Sequence, residues 1–320
     1  MKIQKRGLRA KNRAAMLLIV LFGVSILSFA LSAISPIDPA EAYARRTNFL
    51  SVTPERIAEI RVQMGLDKPI HIQYMSWLRG VLKGDFGISL TSRKPVTADI
   101  AAYLPLTLKL SGLSLLLVAA LSIPIAAVCA MRKNGVFDHI TRGITIVGLS
   151  MPNFWLGFLL LLVFAVMLPV FKVVETGGGL RALFLPALAL AIPIASSSIR
   201  IFRATILAEM NKDYVAFARA RGLSERRVLW MHVLKNALPS MVTMLCQLFG
   251  YMLAGCAVLE KIFSLGGLGS YLVDAIIGRD LPAINGCVFV IALIFVAANT
   301  FADILNPLIA PRMAGGSVRV

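Results

Sequence analysis

The length of its apolar runs constrains this chain more than any other feature. Residues 14–34, 110–131, 143–171, 182–199, 238–259 and 284–310 form six such runs, and the first five contain no charged residue. A helix needs about 20 nearly uncharged residues to cross the hydrocarbon core of a bilayer, where each backbone N–H and C=O must find its partner within the segment. Composition agrees, with 58% of the 320 residues hydrophobic and 15% charged, against about 25% charged in soluble proteins. A soluble core has no use for that much apolar surface. The runs therefore predict an all-α, polytopic membrane protein with about six transmembrane helices. Arg200 and Arg203 cut the fourth span short, and Asp303 lies inside the sixth.

The net charge of +17 is explained by where it sits. Lys2, Lys5, Arg6, Arg9, Lys11 and Arg13 precede the first run. That run exceeds the 7 to 15 residues of a signal-peptide core, so an uncleaved signal-anchor is expected rather than a cleaved leader. With a cytoplasmic N-terminus, six spans place 132–142, 200–237 and the C-terminus on the same side. Those parts add Arg132, Lys133, Arg142, Arg200, Arg203, Lys212, Arg219, Arg221, Arg226, Arg227, Lys235, Arg312 and Arg319, opposed only by Asp138, Glu209, Asp213 and Glu225. This is the positive-inside bias of a membrane protein. A nucleic-acid role would need a basic face with motif support in a folded soluble domain, and the sequence offers none. The expected organisation is a basic N-terminus and first transmembrane helix at 1–34 and an extracytoplasmic segment at 35–96. A core of about five transmembrane helices follows at 97–310, with a cytoplasmic loop at 200–237, and then a cytoplasmic tail at 311–320.

About 70 residues separate the first two spans, too many for a plain connector. Thr53 followed by Pro54 marks a helix start, with an N-cap hydroxyl and proline at the first helical position. Ile57, Ile60 and Met64 recur on one face, and Gly65 supplies a left-handed stop before Pro69. A second stretch, Ile70 to Val81, repeats the pattern with Tyr74, Trp77 and Leu78. Both read as short amphipathic helices, lying on the outer interface or packed on the spans.

Chemistry is absent from the motifs. There is no GxxxxGK[ST] phosphate loop, no HExxH or CxxC and no GxSxG setting for a nucleophile. His71, His139 and His232 stand far apart, and Cys129, Cys246, Cys256 and Cys287 fall inside apolar runs at wide spacing, where free cysteine behaves as a small hydrophobe. A non-catalytic chain that binds no metal and no cofactor is expected.

The loop at 200–237 is different. From Asp213 it reads DYVAFARARG, in which Tyr214, Phe217 and Ala218 form an apolar stripe and Gly222 ends the helix. Ser224 is a candidate N-cap for a second helix, ERRVLWMHVL, running toward the fifth span. Two short helices meeting at a glycine and a cap, apolar on one face and outside the membrane, must press on the chain's own spans or on another protein.

At these residues the chain resembles the permease subunits of binding-protein-dependent ABC importers, specifically the peptide and nickel group. The family's cytoplasmic signature is Glu-Ala-Ala, three residues, then Gly, and Ala216, Phe217, Ala218 and Gly222 stand at its positions. The first Ala replaces Glu, and Lys235 stands where many members carry proline; His232 and Asn236 are typical of the branch. DFGISL at 85–90 with the following RKPV, SMPNFW at 150–155, VLEKIFSLGGLGSYLVDAIIGRDLP at 258–282 and ISPIDPAEA at 34–42 extend the similarity along nearly the whole chain, with Gly266 in a place usually held by proline.

The resemblance implies a type I ABC importer permease fold in the bacterial inner membrane. It implies as partners a second, homologous permease subunit, two ATPase subunits that carry the ATP and Mg, an extracytoplasmic solute-binding protein, and lipid. Tyr214, Ala216, Phe217, Ala218, Gly222, Leu223 and Ser224 would then dock in a groove of the ATPase. For the cargo, the SMPNFW and DFGIS stretches favour nickel or a metal chelate, with di- or oligopeptide as the alternative.

Polar residues inside spans are costly to bury in lipid and so are candidates for the solute pathway. Asn153, Ser197, Gln247 and Asn299 are the foremost, beside Ser150, Ser196, Ser198 and Asp303; hydrogen bonding between helices is their alternative role. Pro124, Pro152 and Pro193 are expected to kink their spans. A stand-alone secondary transporter or channel is the reading of another class, but the inverted repeats and midplane charges that would favour it are not evident.

Overall fold

The computed structural model describes residues 19–30, 33–34, 38–47, 53–174 and 179–309. Among them the chain is helical, and the only β pairing is an isolated bridge between Ile88 and Pro95. The helices are α1 (Ile19–Ala30), α2 (Pro39–Thr47), α3 (Pro54–Gln63), α4 (Ile70–Leu82), α5 (Val96–Met131), α6 (Val136–Ser150), α7 (Asn153–Leu161), α8 (Leu180–Met210), α9 (Asp213–Ala220), α10 (Glu225–Val228), α11 (Leu234–Ile262), α12 (Leu268–Ile277) and α13 (Leu281–Ile309). π-helical segments Leu162–Met167 and Leu229–Val233 continue α7 and join α10 to α11.

Four helices among the described residues are long and apolar enough to span a bilayer: α5, α8, the continuous Glu225–Ile262 and the Leu281–Leu305 part of α13. The run at 143–171 bends where Pro152 is expected to kink it, and so sharply that it forms two helices rather than one straight span. It breaks at Met151 and Pro152, and the two arms, α6 and α7 with its π segment, meet at 98°. Proline cannot supply the amide the helix needs and disfavours helical backbone in the residue before it; Met151 is extended, with ψ 123°. Counted as one bent span, the pair makes a fifth. Of the first run, residues 19–30 form the shorter apolar helix α1, residues 33–34 are helical, and 14–18 and 31–32 lie outside the described residues, as does the tail at 311–320. Pro186 and Pro193 sit inside α8, which stays helical through both.

Contacts divide the chain into two compact units. One comprises Met1–Leu106 with Gly266–Val296, the other Thr107–Leu265 with Ala297–Val320.

In the first unit, α3 starts and stops as its sequence predicts. Thr53 Oγ1 accepts from the Arg56 N–H, and Gly65 takes φ +68° where the Leu66 N–H returns to the Arg61 carbonyl. Ile60 is buried with Ala40 and Ala44 of α2. The aromatic side of α4 packs on α1: Tyr74 and Trp77 lie 5.3 and 5.8 Å, centroid to centroid, from Phe29. The DFGIS stretch folds into a tight loop, with Gly87 at φ +86° and the Val96 N–H bonded to the Gly87 carbonyl. Asp280 fastens this loop to the start of α13. Its carboxylate accepts from Ser89 Oγ (2.6 Å), from the Thr91 N–H (2.9 Å) and, as the cap of α13, from the Ala283 N–H (3.2 Å). Two of the sequence stretches that carry the family resemblance, 85–96 and 258–282, thus meet through residue 280.

The second unit is built around α8. Phe202 and Ile206 of α8, Ala126, Ala127 and Ala130 of α5, Val215 and Ala218 of α9, and Leu229, Val233 and Met241 form one buried apolar cluster. Small side chains on α5 let the helices approach closely, as membrane helices do without a hydrophobic driving force between them. Gly157 of α7 serves the same purpose, since a Cβ there would meet Leu259 Cδ2 at 2.7 Å.

Candidate functional site

The segment at 211–224 forms a rigid elbow. α9 ends in a paired capping motif: the Gly222 N–H bonds to the Arg219 carbonyl (2.8 Å) and the Leu223 N–H to the Ala218 carbonyl (3.3 Å). This closure needs a left-handed residue after the C-cap, and Gly222 supplies it at φ +79°. A Cβ built there would meet nothing within 4 Å, so the glycine is required by backbone conformation and not by crowding inside this chain. Ser224 occupies the N-cap position of α10 with extended backbone, as the sequence predicts, but its hydroxyl makes no cap hydrogen bond. Across the turn, Arg219 holds Glu225 through Nε (2.7 Å) and Nη2 (3.0 Å). That carboxylate raises the Arg219 guanidinium above its ordinary range.

The elbow's second arm is longer than a loop helix. Glu225 to Ile262 is one continuous helical rod of 38 residues, so the arm and the fifth apolar run are the same element. The first arm is tied to α8. Tyr214 Oη donates to Glu209 Oε2 (2.9 Å), and Lys212 Nζ to Glu209 Oε1 (2.5 Å). Burial, with the Glu209 carboxylate adding to it, pushes the Tyr214 phenol above its usual range.

The apolar stripe is rotated from the one read in the sequence. Val215 and Ala218 are the buried positions of α9, with Tyr214 and Leu223 partly buried beside them. Phe217 points the other way and is 71% exposed. Ala216 shares the exposed side, and Trp230 and Met231 are also exposed. The elbow therefore has two apolar faces, one spent on its own spans and one uncovered. An aromatic ring this exposed at the tip of a rigid turn fits a protein contact.

The four pathway candidates lie on four different helices. Asn153 opens α7 directly after the break and is half-buried, its Nδ2 3.7 Å from where a Cβ on Gly255 of α11 would stand. Ser197 on α8 and Asn299 on α13 are half-buried, and Gln247 on α11 is exposed. The neighbouring serines bond within their own helices: Ser150 to the Ile146 carbonyl, Ser196 to that of Ile192 and Ser198 to that of Ile194. This satisfies their hydroxyls without a second helix.

Sequence reasoning missed the buried acids. Asp138 and Arg203, counted above only among the charges of the basic side, form a bidentate pair in which Asp138 has no solvent exposure. Glu260 is also fully buried and accepts from Thr107 Oγ1 (2.6 Å). Asp99 and Asp280 are buried around the DFGIS loop, with Ser92 Oγ 2.5 Å and Tyr271 Oη 3.0 Å from Asp99. The signal that marks them is an acid at the edge of an apolar run in a chain poor in acids.

Comparison with known proteins agrees with this architecture. The family described as "Binding-protein-dependent transport system inner membrane component" matches residues 122–315, and its N-terminal companion, "Binding-prot-dependent transport system membrane comp, N-term", matches 9–111. The chain is 32% identical to the dipeptide transport system permease protein of Escherichia coli strain K12, over 94% of this chain and 97% of that one. It is 35% identical to a putative peptide transport system permease protein of Brucella abortus and 34% identical to the di/tripeptide transport system permease protein of Pseudomonas aeruginosa, with the same coverage of each. These three relatives are named for peptides, and their names give no support to the expected nickel cargo. The chain therefore belongs to the binding-protein-dependent transport system inner membrane component family, as a multi-pass permease subunit of an ABC importer of the peptide and nickel group.

Proposed function

We propose that the cargo is a di- or tripeptide, and that this chain forms half of the translocation pathway beside a second, homologous permease subunit. The observation that carries the cargo is the near full-length similarity to permeases named for dipeptides and di/tripeptides. Two ATPase subunits, holding ATP and Mg, bind the cytoplasmic face, and an extracytoplasmic solute-binding protein delivers the peptide. The termini and the 200–237 loop are cytoplasmic, a reading supported by the basic residues gathered in those segments.

The elbow is the coupling element. Tyr214, Ala218 and Leu223 fix it to the spans, while Ala216, Phe217, Gly222 and Ser224 face a groove of the ATPase. Closure of the ATPase pair displaces the elbow, and the rod Glu225–Ile262 carries that displacement into the membrane without an intervening loop. Alternating access follows when the ATP-bound and ATP-free ATPase pairs favour different packings of the spans. Asn153, Ser197, Gln247 and Asn299 line the pathway.

The test is uptake in a strain deleted for this chain and complemented with it, using labelled dipeptide and labelled nickel. Restored dipeptide uptake is expected. Restoration of nickel uptake alone would overturn the cargo assignment.

A further inference from the structure

Asp138 stands in the first turn of α6 with no solvent exposure. Its carboxylate accepts from Arg203 Nε (2.6 Å), from Arg203 Nη2 (2.7 Å) and from the N–H of Asn134 (3.0 Å), a residue held at φ +63°. Arg142 Nη2 is 3.5 Å away. A buried ion pair is a weak device for stability alone, because desolvation offsets its attraction and apolar replacements often do as well. Its position gives it another use. Arg203 adjoins Phe202, which is buried with Val215 and Ala218 of the elbow. The last turns of α8 thus hold the elbow through Phe202 and grip α6 through Arg203, and α6 leads straight to the 98° break before α7. α6 meets α8 again at its far end, where Gly148 packs on Ser196.

We infer that Asp138 and Arg203 are positioning residues that clamp α6 to α8, so that the two helices move as one body and deliver displacement of the elbow to the break at Met151 and Pro152. This rests on the proposal that the elbow receives the ATPase. The test uses the whole importer reconstituted in proteoliposomes, reading dipeptide taken up per ATP hydrolysed. Asp138→Asn is expected to retain ATPase co-purification and ATP hydrolysis but to lower that ratio about tenfold, within the usual range of a coupling free energy. The reversed pair, Asp138→Arg with Arg203→Asp, is expected to recover part of it. An unchanged ratio in Asp138→Asn would overturn the inference.

A second measurement serves if that variant fails to fold, because it leaves the ion pair intact. A Cβ on Gly148 would lie 3.3 Å from the Ser196 Cβ, just short of the roughly 3.5–4.5 Å of a disulfide. A Gly148→Cys, Ser196→Cys bridge, in a chain whose native cysteines are replaced, locks α6 to α8. Transport that survives the lock supports a single moving body, and transport abolished by oxidation and restored by reduction contradicts it. Loss of ATPase co-purification in Gly222→Arg tests the docking proposal separately.

Discussion

Gly222 offers a way to separate the strain within this chain from the pressure of a partner. At φ +79° a residue with a Cβ pays roughly 1–2 kcal/mol for left-handed backbone. Nothing lies within 4 Å of that Cβ, so no packing term adds to it in the isolated chain. Gly222→Ala and Gly222→Arg should therefore loosen the isolated elbow equally, and Gly222→Asn less, since asparagine visits this region more readily. The reporters are the amides of Gly222 and Leu223, whose hydrogen bonds close the turn. Their exchange protection should fall about 5- to 30-fold in both the Ala and Arg variants, the factor that 1–2 kcal/mol represents. Uptake in the assembled importer should then split the two. If the ATPase presses on the elbow, arginine meets the partner and abolishes transport, while alanine carries only the backbone cost and retains a large part of it. Equal transport in the two variants would refute the claim that a partner surface lies against residue 222. Unchanged exchange in Gly222→Ala would refute the strain argument.

Two further outcomes follow from the geometry. Tyr214 is raised, so its contribution is complete below the phenol's ordinary pKa of about 10 and is lost as pH rises through the higher folded value. The elbow should loosen only in strong alkali, and Tyr214→Phe, which removes a hydrogen bond of about 1 kcal/mol, should lose that alkaline step in an ultraviolet titration read beside amide exchange. Gly286 in α13 has no room for a side chain, because a Cβ would meet Val96 Cγ1 at 2.7 Å, Ile100 Cδ1 at 3.2 Å and Phe86 Cβ at 3.3 Å. Overpacking of about 1–3 kcal/mol outweighs the gain in helix propensity, so Gly286→Ala should lower Tm in detergent, and a raised Tm would contradict the packing.

Much of the fold is legible in the sequence because the bilayer imposes a length on its elements. The apolar runs at 110–131, 182–199 and 238–259 and the described part of 284–310 each fall within a long helix, and Thr53, Pro54 and Gly65 bound α3 as their backbone preferences dictate. In the run at 143–171 hydropathy reports how apolar the segment is and not whether it is straight, and the kink expected at Pro152 is where the helix bends by 98°. SMPN was the visible signal of its break. Phase was misjudged in α9 for a similar reason. Val215 and Phe217 are both apolar, and only the packing on Phe202 and Ile206 decides that Val215 turns inward and Phe217 outward. Asp138 shows the converse limit, since a sequence read for topology counts charges by side of the membrane and cannot tell a solvated acid from one locked on an arginine 65 residues away.

Cross-linking from position 217 reports docking itself. Phe217 is the most exposed aromatic of the elbow, and a photoreactive residue there lies on the face left uncovered by the chain's own spans. In membranes holding the complete importer, it should cross-link to the ATPase subunit in high yield and should lose that product in the Gly222→Arg background. The same probe at Ile277, equally exposed but in α12, should give no ATPase product. A probe at 217 that labels lipid or the second permease, and never the ATPase, would contradict the coupling role of the elbow.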